Sequence, residues 1–139
     1  MAVPSPTDNS LAMKKSTVRV LLVDDQQEFL AAASAFLRLQ PAVEVVGCFT
    51  SGRQAIEAVA ELQPDLVLLD LVMPEMNGFE VTRRIKASGS DTRIVILSFC
   101  DTDGYRPAAV DAGAVGFINK MRFVDSFKSI LDGLLSARP

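Results

Sequence analysis

Residues with chemical capacity stand where four apolar runs stop. Leu21-Leu22-Val23 runs into Asp24-Asp25, and Leu66-Val67-Leu68-Leu69 runs into Asp70. Ile94 to Leu97 ends at Ser98, and Val115 to Asn119 ends at Lys120. Short apolar runs between turn signals read as buried strands. If those strands lie parallel in one sheet, their ends share one edge. That edge would bring three carboxylates to face one ammonium. Like charges a few ångströms apart resist joint ionisation unless cations accompany them. A divalent metal and a lysine meet that need, so the set reads as a site for metal-assisted chemistry on a small anion.

The rest of the composition narrows the chemistry. The chain has no histidine. Ser-His-Asp and Cys-His nucleophilic systems and histidine-ligated metals are thereby excluded. A metal held only by oxygen is a hard cation of the magnesium or calcium type. The net charge of −3 argues against nonspecific nucleic-acid binding, which needs a clustered positive surface. Lys14-Lys15 and Arg83-Arg84 are short basic pairs that read as solvated faces. Cys48 and Cys100 lack metal-ligand spacing and fit reduced thiols acting as small apolar fillers. Cys100, near the site, retains some scope for redox sensitivity. No apolar run is long enough to span a bilayer, and Met1 to Asp8 lacks the form of a signal peptide. These features point to a cytoplasmic protein without a membrane partner.

At 139 residues the chain suits one domain with one core. Residues 1–16, with Pro4 and Pro6, read as a flexible N-terminal tail. Val18–Val23 is the first strand. Glu28–Leu39 has helical spacing in Phe29, Ala33, Phe36 and Leu37, and Pro41 stops it. Val43–Phe49 is a second strand. Ser51 can cap a helix to Leu62, ended by Pro64. Leu66–Asp70 is the third strand, followed by the turn-rich loop Met73–Gly78. Phe79–Lys86 is a short helix with Arg83, Arg84 and Lys86 outward. Ile94–Leu97 is the fourth strand. Asp101–Gly113 holds a loop and a weak helix, interrupted by Pro107. Ala114–Asn119 is the fifth strand, and Val124, Phe127, Ile130, Leu131 and Leu134 mark a last amphipathic helix. Alternating strands and helices predict an α/β fold: a doubly wound parallel sheet with helices on both faces and a site beyond the strands' carboxyl ends.

These motifs, in this order and spacing, resemble the receiver domain of two-component response regulators, related to the chemotaxis regulator. The resemblance rests on Val20-Leu-Leu-Val-Asp24-Asp25, on Pro64 to Asp70 continuing through Met73-Pro74 and Asn77-Gly78, on Ile94 to Ser98, and on Ala112 to Lys120. It runs from about Val18 to Leu135. It implies a flavodoxin-like five-stranded sheet of order 2-1-3-4-5, a receiver domain over residues 17–136, and a C-terminal tail or linker start at 137–139.

Roles follow from the resemblance. Asp70 would accept the phosphoryl group. Asp24, Asp25, Asp70 and the backbone carbonyl of Val72 would hold Mg²⁺. Lys120 would pair with phosphoryl oxygens, Ser98 would hydrogen-bond the phosphoryl group, and Phe117 would change rotamer as Ser98 moves. Partners would be a sensor histidine kinase or phosphotransfer protein and a downstream output domain or protein. A homodimer is a candidate assembly. The expected chemistry is self-phosphotransfer and autodephosphorylation, without turnover of a conventional substrate. The physics agrees: a carboxylate attacking a phosphoryl group needs its charge neutralised, so catalysis becomes positioning plus electrostatics. An acyl phosphate then adds nearly two negative charges at one point, an event a two-state element can relay to the face of the fourth helix, fifth strand and fifth helix.

The chain departs from the pattern of the family it resembles at four positions. Met121 follows Lys120 where proline is usual. Phe99, after Ser98, replaces a small residue and is expected to narrow access for phosphodonors. Val72 replaces a commonly polar residue and is expected to alter how water reaches the acyl phosphate. Pro107 is expected to shorten or distort the fourth helix. Phe99, Val72 and Pro107 motivate one alternative, a phosphorylation-independent protein–protein adaptor on the same fold. A hydrolase working through an aspartyl phosphate is another, but Val72 stands where its second acid belongs. Only Ser136-Ala-Arg-Pro139 follows Leu135, so no output domain is expected in this stretch. A stand-alone receiver and a piece of a longer regulator both fit.

Overall fold

A computed structural model of the chain describes residues 17–99 and 104–136. The expected tails at 1–16 and 137–139, and Cys100, lie outside those residues. The elements are β1 (Val18–Val23), α1 (Gln27–Arg38), β2 (Val43–Phe49), α2 (Gly52–Leu62), β3 (Leu66–Asp70), α3 (Gly78–Ala87), β4 (Arg93–Ser98), α4 (Arg106–Ala112), β5 (Gly116–Asn119) and α5 (Phe123–Ser136). A 3-10 turn at Lys120–Arg122 joins β5 to α5.

The five strands form one parallel sheet of order β2-β1-β3-β4-β5. Side chains alternate faces along a strand. Val18, Val20 and Leu22 of β1 and Leu66 and Leu68 of β3 therefore pack against α1 and α5, through Leu30, Leu37, Phe123 and Phe127. Leu21, Val23, Val67 and Leu69 face the other way, onto Ala55 and Val59 of α2 and Val81 and Ile85 of α3. A sheet covered on both faces has no polar side, which is why its central strands read as unbroken apolar runs. Each fully buried Leu, such as Leu22 or Leu68, contributes about 1.5–3 kcal/mol of burial.

Local signals set the helix ends. The Ser51 side chain accepts the Gln54 N–H and caps α2, as its position predicts. The Asn77 side chain does the same for Glu80 N–H at α3. Pro107 does not break α4. The helix begins at Arg106, so the proline sits in the first turn, where a missing N–H costs nothing. The helix is nonetheless only 7 residues long.

The fifth strand is shorter than the sequence predicts, starting at Gly116 and not at Ala114. Gly113 ends α4 with φ +110°, and the Ala114 N–H donates to the Ala109 carbonyl. Ala114 thus closes the helix before pairing begins. Lys86 also differs from expectation. Its ammonium donates to the Thr92 and Ser90 carbonyls and ties the end of α3 to the start of β4.

Candidate functional site

The carboxyl ends of β1, β3, β4 and β5 deliver the predicted residues to one rim. Asp24 follows β1, its N–H held by the Phe49 carbonyl of β2 at 3.0 Å. Asp70 and Ser98 are the last residues of β3 and β4. Lys120 opens the turn after β5, where the Asn119 side chain accepts the Met121 N–H at 2.9 Å. Ser98 is buried, and so are Asp24, Asp70 and Lys120, an unusual fate for charged groups unless they are paired.

They are paired. The Lys120 Nζ lies 2.7 Å from Asp24 Oδ2 and 3.0 Å from Asp70 Oδ1. Its third neighbour is Gln26 Oε1, at 3.3 Å. Asp24 Oδ1 accepts the Gln26 N–H at 2.8 Å. Asp24 Oδ2 meets Lys120 as a charge, without a hydrogen-bond angle, and so is a buried carboxylate oxygen lacking a donor. Asp24, Asp25 and Asp70 each offer an oxygen, all within 4.8 Å of one another.

This arrangement fits a small hard cation. One lysine faces three carboxylates, the donors are all oxygen, and one buried oxygen lacks a hydrogen bond. The acid cluster also perturbs itself. Burial pushes the Asp70 carboxyl up to about 6 from its usual 3.8. Lys120 opposes that rise, while the charge of Asp24 and a hydrogen bond with Asp25 reinforce it.

Phe117 lies on β5, buried, with its ring stacked on Tyr105 at a 6.3 Å centroid distance and 1° between planes. The Val72 side chain is exposed. Three residues near Lys120 carry no signal in the sequence that ties them to it. Gln26 is one. The others are Phe29 and Phe99, whose ring centroids lie 4.6 and 4.9 Å from Nζ. Only the position of Gln26, directly after the acid pair, could have drawn attention to it.

The family description "Response regulator receiver domain" matches residues 20–131. The chain belongs to that family. Among curated relatives, it is 40% identical over 104 residues to the transcriptional regulatory protein LiaR of Bacillus subtilis, an alignment covering 74% of this chain and 49% of LiaR. The chain spans about half the length of that relative. Its fold superposes on the signal receiver domain of the putative response regulator NarL from Mycobacterium tuberculosis with a TM-score of 0.74 and 30% identity, covering 85% of this chain and 98% of that one. The receiver domain of the histidine kinase CKI1 from Arabidopsis thaliana, complexed with Mg²⁺ and BeF₃⁻, matches with a TM-score of 0.71 and 25% identity over 89% and 94% of the two chains. The receiver is thus a signalling module of two-component response regulators, and its sheet order is the one the resemblance implies.

Proposed function

We propose that Asp70 of this receiver accepts a phosphoryl group from a histidine kinase or phosphotransfer protein, with Mg²⁺ held by Asp24, Asp25, Asp70 and the Val72 carbonyl. The observation that carries the reading is the Lys120 ammonium bridging Asp24 and Asp70 beside Asp25. The CKI1 receiver, solved with Mg²⁺, supports the choice of ion.

A carboxylate oxygen of Asp70 attacks phosphorus, and the bond from phosphorus to the donor breaks with its electron pair leaving on the donor. Burial raises the metal-free Asp70 carboxyl to about 6, and Lys120 opposes that rise and favours the ionised form that attacks. Lys120 neutralises charge on the phosphoryl oxygens and keeps Asp70 oriented. Mg²⁺, when bound, offsets the repulsion between the anionic nucleophile and the anionic donor. Ser98, the last residue of β4, donates to the new phosphoryl group in this reading, and Phe117 on the neighbouring strand β5 follows its movement. The output face is α4–β5–α5 with its connections, where Val110, Val115, Met121 and Val124 expose apolar side chains. Its partner is an output domain or protein, a transcriptional one by analogy with LiaR.

The test is direct. The protein, mixed with Mg²⁺ and a small acyl phosphate, gains the mass of one phosphoryl group, and Asp70→Ala does not. No gain, or a gain that survives Asp70→Ala, overturns the reading. Beryllium fluoride with Mg²⁺ should also change partner affinity, which a phosphorylation-independent adaptor would not show.

A further inference from the structure

We infer that Phe29 and Phe99 form an aromatic clamp that positions the Lys120 ammonium for phosphoryl transfer. The inference rests on the assignment of Asp70 and Lys120 above. Lys120 carries three N–H donors, and three oxygens surround its Nζ: Asp24 Oδ2, Asp70 Oδ1 and Gln26 Oε1. Two ring faces occupy the remaining space, with centroids at 4.6 Å for Phe29 and 4.9 Å for Phe99. Both distances fall inside the roughly 6 Å reach of a cation–π contact. The Lys120 side chain is 2% exposed, so rings and oxygens take the place of water.

The clamp is anchored in the core. Phe99 meets Phe29 edge to face at 6.2 Å, and Phe29 meets Phe123 of α5 in the same way at 5.5 Å. Phe123 belongs to the buried cluster between α1, α5 and the sheet. The oxygens around the ammonium must be exchanged when a phosphoryl group arrives, because its oxygens compete with the ion pair to Asp24 and the hydrogen bond to Gln26. Ring faces make no such exchange. They hold the cation in place while its oxygen partners change, which is preorganisation of charge at the reacting centre. Phe99 also follows Ser98 directly in sequence, so a shift of the Ser98 loop carries the ring with it. At 52% exposed, Phe99 is not core filler, so its replacement should leave the fold intact.

Phe99→Leu keeps an apolar side chain of branched shape and removes the ring. Phe99→Tyr keeps the ring. Phosphorylation of the full chain by a small acyl phosphate with Mg²⁺ is followed by mass. The maximal rate should fall on the order of tenfold in Phe99→Leu and stay near wild type in Phe99→Tyr. The half-saturating donor concentration should stay unchanged in both. Lysine side-chain NMR provides a readout free of catalysis. The Lys120 CεH₂ signal, assigned by its loss in Lys120→Met, should be shifted upfield by ring currents in wild type and Phe99→Tyr, and should move downfield in Phe99→Leu. Equal rates in the Leu and Tyr variants, or a Lys120 signal unmoved by Phe99→Leu, overturns the clamp. If wild type takes up no phosphoryl group, the Asp70 assignment fails, and the NMR signal alone decides whether the rings hold the lysine.

Discussion

The ammonium of Lys120 sits nearer to Asp24 than to Asp70, at 2.7 Å against 3.0 Å. Lys120 therefore does more than await a phosphoryl group on Asp70. It is the resident counter-ion of the acid cluster, and the divalent ion proposed above would share Asp24 with it. Removing one partner from a buried ion pair leaves an uncompensated charge, at about 3–5 kcal/mol. Lys120→Met should lose stability of that order when divalent ions are chelated. Added Mg²⁺ should then restore more stability to the variant than to wild type, because the ion takes over the lost cation's task. Urea denaturation across a Mg²⁺ series measures both. Parallel curves for the two proteins would show that lysine and metal do not share the site.

Asp70 links stability to pH. The folded protein keeps the Asp70 proton up to about pH 6, whereas an ordinary aspartate loses it near 3.8. Burial is the main cause, with repulsion from Asp24 added and Lys120 opposing. The protonated form is the one the fold favours. Stability from this group is thus complete below about 3.8, drains as pH rises to about 6, and is absent above that. The shift corresponds to roughly 2–3 kcal/mol. Asp70→Asn, which cannot ionise and leaves Lys120 on Asp24, should therefore exceed wild type in stability at pH 7.5 by about that amount. The gap should close near pH 4. Denaturation of both proteins with chelator at several pH values checks it. A gap independent of pH would refute the electrostatic cause.

The central strands were legible because burial on both faces writes itself into sequence as apolar runs, and the half-buried edge strand β2, with its exposed Glu44, was legible from its β-branched residues. Val18–Val23, Val43–Phe49 and Leu66–Asp70 match the observed strands residue for residue. Asp24, Asp70, Ser98 and Lys120 could be placed together for the same reason: parallel strands put their ends on one edge. The start of β5 was not legible. The stretch Ala114-Val115 is as apolar as a strand, but a backbone bond from Ala114 to Ala109 binds its first residue to α4 instead. The roles of Gln26, Phe29 and Phe99 were hidden too. They depend on the direction of a long lysine side chain across 94 residues from Gln26, and periodicity carries nothing of that direction. Phe29 read only as one apolar position on a helix, and Phe99 only as an obstacle to entry.

Glycine at 78 is fixed by the backbone of Asp70. A Cβ added there would lie 2.8 Å from the Asp70 carbonyl oxygen and 3.0 Å from the Leu71 Cα. Neither neighbour can rotate away, so the strand end bearing Asp70 must move. Gly78→Ala should cost about 1–3 kcal/mol and weaken divalent-ion binding. Gly133, inside α5, is the control, because a Cβ added there would meet nothing within 4 Å. Gly133→Ala should gain roughly 0.5–1 kcal/mol from helix propensity and leave ion binding unchanged. Thermal denaturation and Mg²⁺ titration distinguish them. Equal effects at the two sites would remove the link between the glycine and Asp70.

Tyr105 holds Phe117 in its buried position. The two rings are parallel within 1° at 6.3 Å, and Phe79 leans on the far member of the pair at the same distance and 47°. Such pairs are worth about 0.5–1.5 kcal/mol beyond the area they bury. If Phe117 is the switch ring proposed above, removing that margin shifts its rotamer populations. Tyr105→Leu should therefore release Phe117 to sample its outer rotamer without any phosphoryl group. The ¹⁹F signal of fluorophenylalanine at position 117 should move toward the position that beryllium fluoride with Mg²⁺ produces in the wild type. An unmoved signal in Tyr105→Leu would mean that Phe117 is held by the sheet and α4 alone, and that Tyr105 plays no part in the switch.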